Sequence, residues 1–217
     1  MKIVEQSTTS IRIVLDRSGS MQNSLETTIE ALNTYLYELK NQKISATLTL
    51  STFDSISIDI PISKVRINKL NRIPESVLIP RAATPLYDAI GLAVHDLEQN
   101  TESTDENKVL VIVTDGLENA SREYTYQNIS SLIQDKEKAG WLIIYLGADH
   151  DAMKQSRSLN FDKKRSMKYS KLDSIDTFKT VSKKTFEYTK GTKNLEIEFT
   201  NRERFLSDKL NFTKEEE

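Results

Sequence analysis

The feature that most constrains the fold is a short polar segment between a buried strand and an amphipathic helix. Residues 11–15 are almost entirely apolar and predict a buried strand. Leucine and isoleucine then recur at three- and four-residue steps between residues 25 and 39, which predicts a helix. Asp16, Ser18 and Ser20 therefore lie where a strand ends and a helix begins. Ligands of open α/β sheets bind at this end of the strands, and oxygen ligands there suit a hard divalent cation, Mg²⁺ first.

Two further segments favour this metal site over the alternative, which is a plain turn and helix cap built from the same residue types. Residues 108–114 predict a second buried strand, which is followed directly by Asp115. Thr84 precedes a predicted helix, and Pro85 suits the first position of that helix. Three polar segments are thus expected at one edge of the sheet.

Together these segments resemble the von Willebrand factor A family, whose metal-ion-dependent adhesion site is written Asp-x-Ser-x-Ser, then Thr, then Asp. The matching positions in this chain are Asp16, Ser18, Ser20, Thr84 and Asp115. The resemblance covers roughly residues 8–150 and is strongest to the bacterial and phage branch. The chain departs from the family before the threonine, where a glycine is usual and residues 81–83 read Arg-Ala-Ala.

The resemblance implies a three-layer, Rossmann-like α/β fold. Its central sheet is expected to be mostly parallel with one antiparallel edge strand, and helices are expected on both faces. We expect the domain to span residues 1–160. A C-terminal extension over residues 161–206 is expected to pack on it, and the charged tail at 207–217 is expected to be disordered.

The resemblance also implies how the site works. Ser18 and Ser20 would bind Mg²⁺ or Mn²⁺ directly, Asp16 and Asp115 mainly through water, and Thr84 directly or through water. Neutral hydroxyls leave the cation under-neutralised, so an Asp or Glu of a partner protein can fill the open position. The predicted function is a metal-dependent protein-interaction module with no catalytic residue. Such a module could serve as an accessory to an ATPase or kinase system.

Three neighbours of the site are predicted to form a partner-binding rim. Arg17 and Arg81 could ring the metal with positive charge, and the alternative is that both are ordinary solvated loop residues. Glu118 could be a repulsive rim residue or an extra group that bridges through water.

Enzyme classes with similar strand-end carboxylates fit less well. Haloacid-dehalogenase phosphatases need Asp-x-Asp in the first loop, and this chain has Ser18 at the second position, where a hydroxyl cannot do acid–base work at neutral pH. Response-regulator receivers need a lysine late in the sheet, where residues 147–149 read Gly-Ala-Asp. The chain has no cysteine and only His95 and His150, which gives no support to a zinc enzyme or a hydrolase triad. The alternatives are a phage or structural protein whose metal stabilises a subunit interface and, less favoured, a Mg²⁺-dependent phosphatase.

Charge is distributed unevenly along the chain. Residues 1–150 carry 14 Lys and Arg against 20 Asp and Glu, whereas residues 151–217 carry 16 against 12. The basic part also contains aromatic residues, so a nucleic-acid tail is one interpretation. Acidic residues are mixed throughout it and no known motif occurs, so we favour a solvated helical face docked on the acidic domain.

The sequence also indicates a location. No stretch approaches the ~20 apolar residues that span a bilayer, and the N-terminus lacks the apolar run of a signal peptide. These patterns predict a cytoplasmic protein with no membrane partner, and they leave the oligomeric state open.

Several local predictions concern the rest of the chain. Asp54-Ser55 is expected to be the turn of a hairpin over residues 46–60, and Gly91 is expected to allow close approach of its helix to the sheet. Asp149 is expected to cap a helix. The remaining predictions are a short helix near 65–71 in an irregular connection over 61–83, a helix at 129–139 ended by Gly140, strands at 141–146, 163–170 and 195–199, and a helix at 174–190.

Overall fold

The computed structural model describes residues 8–99, 106–148, 150–170 and 173–206. Its strands are β1 (Thr9–Asp16), β2 (Ala46–Phe53), β3 (Ile58–Arg66), β4 (Asn107–Thr114), β5 (Leu142–Gly147) and β6 (Ser166–Lys168). Its α-helices are α1 (Leu25–Asn41), α2 (Leu86–Gln99), α3 (Tyr126–Lys138), α4 (His150–Ser158), α5 (Ser174–Thr189) and α6 (Asn201–Leu206). Short 3-10 turns cover Gly19–Asn23, Ile67–Lys69, Glu75–Val77 and Asn194–Glu196. The predicted cap Asp149 and the tail at 207–217 lie outside the described residues.

The strands form one six-stranded sheet in the order β3-β2-β1-β4-β5-β6. Every neighbouring pair is parallel except β2 with β3, which is antiparallel at one edge. The predicted mostly parallel sheet with one antiparallel edge strand is therefore confirmed. Leu15 of β1 lies opposite Val113 of β4, so Asp16 and Thr114 end neighbouring strands at the same edge of the sheet.

Helices cover both faces of the sheet, as predicted. Alternate side chains of a strand point to opposite faces, so Ile13 and Leu15 enter the core beneath α1 and α5, while Val14 enters the core beneath α2 and α3. The apolar side chains of α2, among them Leu86, Ile90 and Val94, are buried in the core on the α2 and α3 face. Among the described residues, no helix is long and apolar enough to cross a membrane.

The predicted C-terminal helix is confirmed as α5, which packs on α1. The Tyr35 hydroxyl of α1 and the Thr185 hydroxyl of α5 are hydrogen-bonded at 3.1 Å inside this contact. Phe178 is fully buried and meets the ring of Tyr169 edge-on, with centroids 6.1 Å apart. Because these aromatic rings lie in the core, they are not free to stack on nucleic-acid bases.

Ion pairs of two α5 lysines do not support the charge argument for this docking, although Arg165 of the basic part does pair with Glu137 of α3 at 2.9 Å. Lys179 pairs with Asp176, and Lys184 pairs with Glu187 and Glu203. These ion pairs join residues within the C-terminal part of the chain rather than linking it to the acidic domain. Apolar burial therefore accounts for the docking of α5.

The predicted strand over 195–199 is also wrong. Ile197 and Phe199 are buried and Glu198 is exposed, so the alternation is real, but this segment joins no strand of the sheet. The Asn194 side chain donates to the carbonyls of Glu137 and Trp141 at 2.7 and 2.9 Å. These two bonds hold a turn at the point where the strand was expected to begin.

Two smaller expectations change. The hairpin with its turn at Asp54-Ser55 is confirmed, but β3 continues through Pro61 to Arg66, because an edge strand tolerates a proline that donates no ladder hydrogen bond. The close approach at Gly91 involves a loop residue: a Cβ at Gly91 would lie 2.4 Å from the ring of Tyr124.

Candidate functional site

The structure brings all five predicted site residues to one edge of the sheet. The hydroxyl oxygens of Ser18 and Ser20 are 3.0 Å apart, and the Ser20 hydroxyl donates to Asp115 Oδ1 at 2.5 Å. A Cβ built on Gly116 would lie 3.7 Å from the Ser20 hydroxyl oxygen and 3.8 Å from that of Thr84. The hydroxyls of Ser20 and Thr84 therefore lie near Gly116, and Ser18 and Asp115 join the cluster through the Ser20 hydroxyl.

Asp16, at the end of β1, lies on the buried side of the cluster. Its side chain is fully buried, with Oδ1 accepting from the Ser18 amide at 2.7 Å and Oδ2 from the Thr114 hydroxyl at 2.6 Å. Burial raises the pKa of Asp16 to about 6, although these hydrogen bonds oppose the shift and nearby Asp115 adds to it. Thr114 was not singled out from the sequence, and its position at the end of β4 was the available signal.

The donor chemistry fits a hard divalent cation. The cluster offers only oxygen atoms, and both hydrogen-bond donors to the buried Asp16 carboxylate described above are uncharged. Within the described ranges, no group of three or more His, Cys, Asp or Glu side chains could hold a metal. Any cation at this edge would therefore rely on the hydroxyls of Ser18, Ser20 and Thr84 as well as on carboxylates.

Arg17 lies between two site residues in sequence, but its side chain turns toward the β2–β3 turn. Its Nε donates to Asp54 Oδ2 at 2.6 Å, its Nη1 to the Thr52 hydroxyl at 3.1 Å, and its Nη2 lies 2.7 Å from Asp59 Oδ2. Only 7% of the residue is exposed. Arg17 is thus no solvated loop residue, and its role in a partner-binding rim stays a prediction.

Arg81 joins the same carboxylate. Its Nε donates to Asp54 Oδ2 at 2.9 Å, and its backbone amide donates to the Arg17 carbonyl at 3.0 Å. We call Arg17, Asp54 and Arg81 the arginine clamp, because one carboxylate holds two guanidinium groups. The Arg81 side chain is 41% exposed, so its predicted rim role also stays open.

Asp54 is the predicted turn residue, and its carboxylate binds both the turn and the two arginines of the clamp. Its Oδ1 accepts from the amides of Ile56 and Ser57 at 2.7 and 3.1 Å. Burial alone would raise the pKa of Asp54, but the hydrogen bonds from Arg81, Arg17 and the two amides outweigh it and hold that pKa below its ordinary value. The charged form of Asp54 therefore ties the first site loop to the β2–β3 turn and to the segment before Thr84.

The Arg-Ala-Ala departure from the family pattern takes an unusual backbone conformation. Ala82 has a φ of +59°, which lies in the left-handed region that favours glycine. Its carbonyl accepts from the Gly19 amide at 3.1 Å, and the neighbouring Ala83 carbonyl accepts from the Ser55 amide at 3.0 Å. The strained residue thus connects the Thr84 segment to the loop that carries Ser18 and Ser20.

Glu118 organises the loop that follows β4. Its carboxylate accepts from the amides of Tyr87, Ala120 and Ser121 at 2.9, 2.8 and 2.7 Å, and from the Ser121 hydroxyl at 2.7 Å. These bonds attach the loop to the first turn of α2. The predicted rim role of Glu118 stays a prediction, and the structure gives its carboxylate four protein donors.

Asn119 positions Thr84, and sequence reasoning missed it. Its side-chain oxygen accepts from the backbone amide of Thr84 at 2.8 Å, and its backbone amide donates to the Thr84 carbonyl at 3.1 Å. The pairing fixes the threonine backbone against the loop of Asp115. Its only sequence signal was a position four residues after Asp115.

Comparisons with known proteins agree with the fold described above. The family model for the von Willebrand factor type A domain matches residues 10–184. No curated protein sequence matches the chain significantly.

Several solved structures share the fold. A von Willebrand factor type A protein from Catenulispora acidiphila is 14% identical with a TM-score of 0.62, and the match covers 83% of this chain and 43% of that one. The pilus adhesin SpaC from Lactobacillus rhamnosus GG is 13% identical with a TM-score of 0.62, over 84% and 30% of the two chains. The vWF domain of the type V pili tip protein Mfa5 from Porphyromonas gingivalis is 11% identical with a TM-score of 0.66, over 90% and 98%.

These identities establish a shared fold alone. The chain spans less than half the length of the first two proteins, and it matches nearly the whole of the Mfa5 domain. The family model covers most of the chain, and the sheet order and helical layers fit it. The chain therefore belongs to the von Willebrand factor type A domain family.

Proposed function

We propose that this domain is a metal-dependent protein-interaction module. It holds Mg²⁺ or Mn²⁺ through the predicted site residues, which are Asp16, Ser18, Ser20, Thr84 and Asp115. The observation that carries the proposal is the convergence of these oxygen atoms beside a fully buried carboxylate whose described donors are neutral. A buried charge needs a compensating partner, and a bound cation supplies one.

The bound ion would supply a positive charge with an open coordination position, and an Asp or Glu of a partner protein can fill that position. The chain would supply hydroxyl ligands, which are neutral and therefore leave the cation with a net positive charge. Two of the similar structures are a pilus adhesin and a pili tip protein, so this fold serves in proteins of that kind. We propose binding without turnover, since Ser18 stands where a phosphatase of similar architecture needs an acid–base carboxylate.

The test measures metal-dependent stability. Unfolding of the full chain is followed in EDTA, Mg²⁺ and Mn²⁺, for the native sequence and for Ser20→Ala. A ligand that binds only the folded state at tenfold its Kd stabilises it by about 1.4 kcal/mol. We expect this gain in the native sequence and its loss in Ser20→Ala. Ser63→Ala is the control, because Ser63 is exposed on β3 away from the cluster.

Two results would contradict the proposal. The first is an equal response of the native sequence and Ser20→Ala to Mg²⁺ and Mn²⁺. The second is metal-dependent phosphate release from a generic phosphoester that disappears in Asp16→Asn, because this would establish a phosphatase. If metal instead shifts the sedimentation of the chain from monomer to oligomer, the ion stabilises a subunit interface.

A further inference from the structure

We propose that the acidic residue received by this site lies in a protein loop with aliphatic or aromatic residues beside it. The inference rests on the proposed function and adds the chemistry of the partner. It comes from three exposed aliphatic side chains on three different loops that are linked to the oxygen cluster. We call Ile56, Ile79 and Leu117 the aliphatic rim.

The rim residues are all among the exposed large apolar side chains of the described chain. Ile56 is 66% exposed, Ile79 is 62% exposed and Leu117 is 43% exposed. Single exposed aliphatic residues are normal on any protein, but apolar residues grouped around a polar centre are typical of an interaction surface. What makes these three a group is their connection to the metal loops.

Each rim residue is attached to the oxygen cluster by short backbone links. Leu117 directly follows Gly116, whose Cβ position lies within 4 Å of the hydroxyl oxygens of Ser20 and Thr84. Ile56 follows Ser55, whose amide and hydroxyl bond to the carbonyl and amide of Ala83 at 3.0 and 3.1 Å. Ala83 in turn precedes the ligand Thr84, so both residues lie beside the same edge of the sheet.

Ile79 reaches the site through the arginine clamp. It lies two residues before Arg81, whose amide bonds to the Arg17 carbonyl and whose guanidinium bonds to Asp54. The same Asp54 side chain accepts from the Ile56 amide. The clamp therefore fixes two of the three rim residues relative to the loop of Ser18 and Ser20.

A preformed rim selects a particular kind of partner. Loops that are already ordered lose little conformational entropy on binding, so burial of the rim contributes to affinity. A lone carboxylate would fill the metal position and leave the rim in water. A protein loop that carries an Asp or Glu next to Leu, Ile, Val or Phe satisfies the charge at the centre and covers the aliphatic surface around it.

The experiment uses a random peptide library displayed on phage and selected on the immobilised full chain. Selection in Mg²⁺ is compared with selection in EDTA. We expect Mg²⁺-dependent peptides that combine an acidic residue with an aliphatic or aromatic residue within two positions of it. The affinity of one such peptide is then measured for Ile56→Ser, Ile79→Ser and Leu117→Ser, singly and together.

Each rim substitution should lower the affinity for the peptide by about tenfold. The affinity for Mg²⁺ should stay unchanged, because no metal ligand is altered. Leu195→Ser is the matched control. Leu195 is 63% exposed, close to the 62% of Ile79, but it lies in the 3-10 turn Asn194–Glu196. The Asn194 side chain bonds to the carbonyls of Glu137 and Trp141 just before β5, at the edge of the sheet opposite the metal loops. Its substitution should leave peptide affinity unchanged.

The outcomes separate the two proposals. If no peptide depends on Mg²⁺, the proposed function fails and this inference fails with it. If Mg²⁺-dependent peptides carry an acidic residue without apolar neighbours, or if the triple variant binds them as tightly as the native chain, only the inference about the rim is overturned.

Discussion

Replacement of Ala82 by glycine tests the loop geometry at the site most directly. Ala82 holds a φ of +59°, where the Cβ of an L-residue crowds the following carbonyl oxygen at a cost of about 1–2 kcal/mol. Glycine removes that crowding. It also gives the unfolded chain more freedom, which destabilises the native state by about 0.4–1 kcal/mol. The difference predicts that Ala82→Gly raises the free energy of unfolding by about 0.5–1 kcal/mol.

The neighbouring alanine provides a matched control. Ala83 is outside the left-handed region, so Ala83→Gly relieves no strain and should lower the free energy of unfolding by about 0.4–1 kcal/mol. Equilibrium urea unfolding in EDTA measures both variants, and an unchanged m-value confirms that the denatured state is comparable. Equal destabilisation by the two substitutions would refute the left-handed assignment at Ala82.

Three further predictions concern the charges and the core. Because burial raises the pKa of Asp16 to about 6, above about 4 in an unfolded chain, the native state holds this proton more tightly. In EDTA the contribution of Asp16 to the free energy of unfolding should therefore fall by about 2–3 kcal/mol between about pH 4 and pH 7, so the native sequence should lose that much more stability than Asp16→Asn over this range in urea titrations. Asp54→Asn removes a charged partner of buried Arg17 and should cost about 3 kcal/mol in the same assay; a loss below about 1 kcal/mol would contradict the clamp. Phe178→Ala should cost about 3–5 kcal/mol because the ring is fully buried, whereas Ile175→Ala, at a residue 39% exposed on the same helix, should cost far less; similar losses would contradict the packing of α5.

Periodicity was sufficient to predict where the site carboxylates lie. Asp16 and Asp115 follow apolar runs whose length and composition match buried parallel strands, and parallel strands necessarily end at one edge of the sheet. Thr84 was singled out because it precedes a predicted helix, and the resemblance added its role as a ligand. Its approach to that edge depends on a long connection with little pattern of its own. The strands that position the two carboxylates were therefore predictable, because they depend on local residue spacing.

Contacts that depend on side-chain direction were not predictable in this way. The sequence places Arg17 beside two site residues, but only the folded β2–β3 turn brings Asp54 and Asp59 within reach of its guanidinium. The roles of Thr114 and Asn119 likewise depend on which atoms face each other after the loops assemble. In the segment 195–199, alternation correctly indicated burial of Ile197 and Phe199 but not of Leu195. A strand also needs a partner with free backbone groups, and sequence alone does not show whether one is there.

The two edges of the sheet have a consequence for how copies of this domain meet in solution. At one edge, β3 contains Pro61, which has no N–H to donate, and Lys64, whose φ of +51° interrupts the extended backbone. At the other edge, β6 is three residues long, and the Arg204 guanidinium donates to its Ser166 carbonyl. Proteins commonly use such devices to prevent strands of separate molecules from pairing. A concentrated solution of the domain should therefore resist fibril growth by strand addition, and self-association, where it occurs, has to use side-chain surfaces.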